Sequence, residues 1–186
     1  EVIKEAARGQ GMGGFDNLDG AAGNDQIFGG AGDDYLYGGE GSDTIHADGG
    51  NDTAYGGNGD DYFIATGGVL TAYGDLGNDL LYGGISADRL DGGGGNDVLW
   101  GSYGNDALYG GAGSDVLMGA LGADVFYGGS GTDYFAMNND IAYGAYDNIV
   151  DFTDGIDLMQ LPEYARNVRT ITHASFAGSV SIALAD

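Results

Sequence analysis

Cysteine is absent from the 186-residue chain, and proline occurs once. The first absence excludes disulfide staples and thiolate metal sites and leaves either redox compartment open. Positive charge is almost as scarce: Lys4, Arg8, Arg89, Arg166 and Arg169 stand against 29 acids, for a formal net charge of −24. So acidic a chain has no footprint for nucleic acid, and an anionic membrane would repel it. No apolar run approaches the roughly 20 residues of a spanning helix, and no N-terminal signal peptide is visible. Leu, Ile, Val and Phe together number 39, close to the level of about one fifth below which a highly charged chain stays disordered. The two histidines, His46 and His173, lie far apart and have no HExxH or GxSxG company, so they read as surface residues and no catalytic site is expected.

What is abundant is glycine, at 40 residues, and aspartate, at 25 of the 29 acids. Aspartate belongs in turns and in oxygen-rich cation sites, whereas a solvated helical face would favour glutamate. Cut every nine residues from Gly11, the chain gives fourteen units ending at Ala136 with no insertion or deletion. Position eight is always apolar: Leu18, Ile27, Leu36, Ile45, Ala54, Phe63, Ala72, Leu81, Leu90, Leu99, Leu108, Leu117, Phe126 and Phe135. Position six is aspartate in thirteen units (Asp16, Asp25, Asp34, Asp43, Asp52, Asp61, Asp79, Asp88, Asp97, Asp106, Asp115, Asp124, Asp133) and Leu70 in the other. Position four is glycine except at Ser86, and position one except at Ala47 and Ala65.

Glycines at positions one and four allow backbone conformations closed to residues with a Cβ, so the first six residues predict a tight loop. Positions seven to nine predict a three-residue strand with its middle side chain inward. One unit is then a half-turn, and two make a turn of eighteen residues. Stacked at about 4.8 Å, seven turns give a body roughly 33 Å long with the position-eight side chains as an internal column.

This unit, as in GGAGDDYLY and GGEGSDTIH, resembles the GGxGxDxUx nonapeptide of the repeats-in-toxin (RTX) family. The resemblance implies an all-β fold, a calcium-bound parallel β-roll that is a right-handed β-helix of two sheets, with a short C-terminal β cap. It also implies calcium between loops that neighbour each other along one edge. The position-six aspartates would be ligands, with main-chain carbonyls of the glycine-rich positions, among them Gly30, Gly32, Gly39, Gly41, Gly57, Gly59, Gly93, Gly95, Gly111, Gly113, Gly129 and Gly131. Calcium accepts six to eight such oxygens at about 2.3 to 2.6 Å. One edge carries Asp25 through Asp133 without a break, and Leu70 spoils two gaps on the other, leaving about ten sites. Residues 11 to 136 carry a formal −19, from 20 acids and Arg89, so about ten divalent ions would bring the roll near neutrality.

The unit ATGGVLTAY, residues 65 to 73, reads either as neutral drift or as a metal-free seam where another part of the parent protein docks; the sheet is expected to run through it. Position nine forms a tyrosine ladder, Tyr37, Tyr55, Tyr73, Tyr109 and Tyr127, which cross-strand stacking explains without a ligand. On the other sheet Leu80, Val98, Val116 and Tyr134 lie beside Tyr82, Trp100, Met118 and Ala136, an apolar strip suited to a flanking segment, a homotypic contact or a glycan.

Residues 147 to 161, DNIVDFTDGIDLMQL, resemble the segment that follows the roll in secreted proteases, lipases and alginate epimerases of the same superfamily. That likeness implies a cap of Ile149, Phe152, Ile156 and Leu158, with Asp147, Asp151 or Asp157 binding a further ion or serving as turn residues. Three regions are expected: 1–10 as the end of a preceding helix or linker, 11–136 as the roll, and 137–186 as a capping segment. Residues 162 to 186 are expected to add closing strands, and SVSIALAD matches poorly the usual ending of an export signal. The reading is a non-catalytic module of a larger secreted, extracellular or cell-surface bacterial protein, exported by type I secretion and folding on calcium outside. Its rivals are a surface-layer or adhesin assembly module and a polysaccharide-binding module of a hydrolase or epimerase.

Overall fold

The computed structural model describes residues 8–137, 147–153 and 156–160. Its strands in chain order are β1 Arg8–Gln10, β2 Asn17–Asp19, β3 Gln26–Phe28, β4 Tyr35–Glu40, β5 Thr44–Gly49, β6 Asp52–Asn58, β7 Tyr62–Gly67, β8 Leu70–Leu76, β9 Leu80–Gly84, β10 Arg89–Gly94, β11 Val98–Tyr103, β12 Ala107–Gly113, β13 Val116–Leu121, β14 Val125–Gly131, β15 Tyr134–Ala136, β16 Asn148–Ile149 and β17 Leu158–Gln160. Odd-numbered strands form one nine-stranded sheet and even-numbered strands an eight-stranded sheet. All pairing is parallel, each strand lying beside the one two ahead, as with Leu36 opposite Ala54 and Leu99 opposite Leu117. Consecutive strands thus alternate between sheets, and the chain winds as a two-sheet solenoid of eighteen residues per turn. No α-helix occurs among the described residues.

The fourteen position-eight side chains are buried between the sheets, from Leu18 to Phe135. With one apolar residue per half-turn the core is a single column. Two position-eight residues are only alanine, Ala54 and Ala72, and the rim residues Ala47, Ala65 and Leu70 join the core beside them. Strands in the middle of the coil run five to seven residues rather than the expected three, because rim residues also pair, as in Gly39 with Gly57 and Glu40 with Asn58.

The coil also begins earlier and ends later than the nonapeptides. Arg8–Gln10, expected as a helix end or linker, is strand β1 and pairs with β3; residues 1–7 lie outside the described residues. After the last regular unit, β16 and β17 add one strand to each sheet, placing Ile149 opposite Phe126 and Met159 opposite Phe135. Ile149 is buried, and Phe152 and Met159 pack on the column. The expected capping roles of Ile156 and Leu158 are not seen, since both are exposed. Leu158 pairs with Tyr134 in an outward register, which hands the inward place to Met159. The expected closing strands over 162 to 186, and His173, fall outside the described residues.

Candidate metal centre

Both rims are built from the loops of alternate units. In every loop from Asp25 to Asp133 except that of Leu70, the position-six carboxylate turns inward and is buried, and Asp16 is half-buried. Its Oδ1 accepts a hydrogen bond from the main-chain N–H of the position-six residue one turn earlier: Asp25 N–H to Asp43 (2.8 Å), Asp43 to Asp61 (2.7 Å), Asp61 to Asp79 (2.8 Å), and so on to Asp115 with Asp133 (3.1 Å). The other rim repeats this from Asp16 with Asp34 (2.8 Å) to Asp106 with Asp124 (2.8 Å), except that Asp52, one turn before Leu70, donates to the Val69 carbonyl instead. Two residues beyond the repeats finish the ladders: Asp147 accepts from Asp124 N–H at 3.0 Å, and Asp157 from Asp133 N–H at 3.1 Å. Asp151 accepts instead from the N–H groups of Gly128 and Gly129.

The second carboxylate oxygen is the informative one. In Asp16, Asp34, Asp43, Asp61, Asp79, Asp88, Asp97, Asp106, Asp115 and Asp133, Oδ2 is buried without a hydrogen-bond partner. A buried carboxylate oxygen left so is costly unless a cation meets it. Each also faces the position-one glycine of its own unit: an ideal Cβ at Gly83 would lie 2.6 Å from Asp88 Oδ2 and 2.6 Å from Gly101 O, and one at Gly110 would lie 2.5 Å from Asp115 Oδ2 and 2.6 Å from Gly128 O. The glycine therefore leaves open a small cradle walled by a carboxylate oxygen and, in nine units, a carbonyl of the next turn as well. Twelve units have this glycine facing its aspartate.

Position one was expected to need glycine for its conformation, and here the structure corrects the expectation. The left-handed backbone lies at positions two and four, as at Gly39 (φ 112°) and Gly41 (φ 120°), and none of the position-one glycines has positive φ. All twelve candidate carbonyl-bearing glycines, Gly30 to Gly131, belong to this left-handed set. Position two also forces Ala21, Asp48, Asp75, Ser102 and Ala120 to φ between 64° and 80°, a conformation costing about 1 to 2 kcal/mol for residues with a Cβ.

A ladder at position five was not anticipated. Asn24 Oδ1 accepts from Ser42 N–H (3.0 Å), Asp60 from Asn78 (2.7 Å), Asn78 from Asn96 (2.9 Å) and Asn96 from Ser114 (2.8 Å). It runs in the opposite chain direction to the position-six ladder. The signal was in the sequence, since Asn, Asp or Ser fills position five in many units.

Burial drives ten of the position-six acids upward, against the pull of the amide hydrogen bond. Asp61 and Asp106 are pushed to about 7, and Asp52, Asp79, Asp88, Asp97, Asp115 and Asp133 to about 6; Asp34 and Asp43 move the same way. No three carboxylate or imidazole side chains converge on one point among the described residues. Any ion at a cradle must therefore take most of its ligands from carbonyls. That suits a hard cation that accepts neutral oxygens, and disfavours zinc.

Compared with models of protein families, the sequence matches the RTX calcium-binding nonapeptide repeat over residues 10–45, 37–69, 71–99 and 100–135. The chain belongs to the RTX calcium-binding repeat family. Between residues 10 and 135 the matched segments omit only Leu70. A comparison with curated protein sequences gave no match. The RTX repeats make this a calcium-binding module, and the coil is a β-roll.

The faces of the RTX coil differ. On the even-numbered sheet Tyr37, Tyr55 and Tyr73 stack with centroids 5.2 and 5.0 Å apart, as do Tyr109 and Tyr127 at 4.6 Å. Between the two stacks, where Asp91 interrupts the ladder, the Arg89 guanidinium sits 5.7 Å from the Tyr73 ring and 3.9 Å from that of Tyr109, and pairs with Asp91 at 2.7 Å. At positions seven and nine the outward residues of the odd-numbered sheet from Gln26 to Gln160 include no Asp, Glu, Lys or Arg, and Asp48 stands at the rim end of β5. His46 is among those outward residues, stacked on Phe28. No helix among the described residues is long and apolar enough to cross a membrane.

Proposed function

We propose that this coil is a calcium-dependent folding module of a larger secreted bacterial protein, exported extended by a type I system and folded outside the cell. The position-six aspartates are the carboxylate ligands, one seat for each position-one glycine, with carbonyls of adjacent loops completing each seat. The buried, unpartnered Oδ2 row carries this reading. Without cations those acids oppose burial, so binding energy becomes folding energy. In low cytoplasmic calcium the chain stays open, and millimolar calcium outside closes it. Circular dichroism and size exclusion during a calcium titration test this: β content should rise and the radius contract together. Unchanged β content and radius in excess chelator would refute it.

The strip at positions seven and nine of the odd-numbered sheet, uncharged from Gln26 to Gln160, supports a second reading, assembly of copies through that strip, as in a surface-layer or adhesin protein. On a chain of net charge −24, it is the surface along which two copies could meet without opposing like charges. Calcium-dependent oligomers at micromolar protein, abolished by Trp100→Asp, would support it; a monomer throughout would exclude it. The polysaccharide reading gains less, because the stacked tyrosine rings spend most of their faces on one another.

A further inference from the structure

Resting on the proposed calcium seats, we infer that the rims carry unequal numbers of them, and that Ala47 closes a seat whose aspartate, Asp52, is in place. The rim of Asp25, Asp43, Asp61, Asp79, Asp97, Asp115 and Asp133 has glycine at position one in every loop. On the other rim the loops 47–52 and 65–70 begin with Ala47 and Ala65. Leu70 removes the carboxylate from the second loop. In the first, Asp52 is present and buried, and its Oδ1 accepts from Asp34 N–H at 2.9 Å. Yet position one of this loop carries the Ala47 side chain, buried and packed with the core, where a Cβ at the position-one glycines of the other aspartate loops would meet their aspartate's Oδ2. Asp52 is absent from the set of buried, unpartnered Oδ2 oxygens.

The backbone agrees. Around Asp48 the pairing of β5 with β7 shifts register twice, between His46 and Asp48 and between Asp48 and Gly49, unlike the other pairs of described strands. Asp52 N–H donates to the Val69 carbonyl (2.8 Å) rather than to a position-six carboxylate, so the turn closes without an acid at position 70. Further along, Asp88 regains a cradle at Gly83 despite Ser86 at position four. The interrupted rim therefore holds one group of seats at Asp16 and Asp34 and another from Asp88 to Asp124, separated by two closed loops. Asp52 serves as a main-chain acceptor, and position one decides whether a loop is occupied.

Calcium stoichiometry by native mass spectrometry and equilibrium dialysis tests this, with circular dichroism confirming the fold of each variant. Asp52→Asn keeps the Oδ1 acceptor and should leave the ion count unchanged, whereas Asp43→Asn should remove one ion. Ala47→Gly should add one, and Gly38→Ala should remove one; Ala47 shows that the coil accommodates a methyl at this position. An ion lost in Asp52→Asn, or none gained in a folded Ala47→Gly, overturns the inference. A wild-type chain that bound no calcium at all would instead overturn the reading beneath it, and this inference with it.

Discussion

The two rims of this coil are made from the same nine-residue unit and share the same hydrogen-bond ladder, yet one is continuous and the other is interrupted at its centre. The ladder survives the interruption because an amide can be satisfied by a carbonyl, as Val69 does for Asp52. A cation seat cannot be rescued in that way. It needs a carboxylate oxygen and an empty volume together, and Ala47 or Leu70 removes one or the other. Coil geometry and metal occupancy are thus separable properties of a repeat, the first set by position eight and the main chain, the second by positions one and six.

The largest test removes calcium and varies pH. The raised values of about 6 to 7 mean that the metal-free coil holds protons more tightly than the unfolded chain, whose carboxyls titrate near 3.8. Protonation therefore stabilises the coil fully below about pH 4, and this contribution is lost as pH rises through 6 to 7. In chelator, circular dichroism should show β content at pH 4 that disappears by pH 7.5, while calcium preserves it there. The continuous rim, with Asp61, Asp79, Asp97, Asp115 and Asp133 all raised, should dominate the transition. β content that rises with pH in chelator would contradict the account.

A substitution in the middle of each rim sharpens the contrast. Asp79→Ala removes a seat and leaves the buried Asp61 N–H without its acceptor, a loss of about 3 kcal/mol in calcium by denaturant unfolding. Asp52→Asn should cost about 1 kcal/mol or less, since the acceptor survives. Equal losses would mean that the rims do not differ.

The turn length, the inward column and the acidic rims were readable from the nonapeptide, because each depends on one residue type recurring in phase. Why position one is glycine was not. Nothing in the sequence distinguishes a glycine needed for its φ, such as Gly41, from one needed for the volume its Cβ would fill, such as Gly83. Ala47 for the same reason reads as a harmless variant until position one is seen to face the carboxylate of its own loop. Nor was Met159 identifiable as the inward residue of the cap, since the spacings from Phe135 to Ile149 and from Ile149 to Met159 abandon the nine-residue count that fixed every earlier register. Arg89 was visible as an isolated cation, but its place between two tyrosine stacks depends on a side chain reaching across from position seven.

Smaller effects follow from strained loops and from the sheet face. Ala21→Gly on the continuous rim and Ala120→Gly on the interrupted one should each stabilise the calcium form by about 1 kcal/mol or less, by relieving the left-handed alanine while adding chain entropy. Tyr55→Ala removes two stacked pairs and should cost about 1 to 3 kcal/mol from those pairs at most. The true loss should fall at the low end, because the rings remain partly solvated, and calcium stoichiometry should not change.

Anomalous diffraction from crystals grown in calcium would address the central claim most directly. The account predicts peaks beside the aspartates of both rims, continuous from Asp25 to Asp133 on one and missing at Asp52 and Leu70 on the other. An intact coil whose rims showed no calcium peaks beside these carboxylates would contradict it.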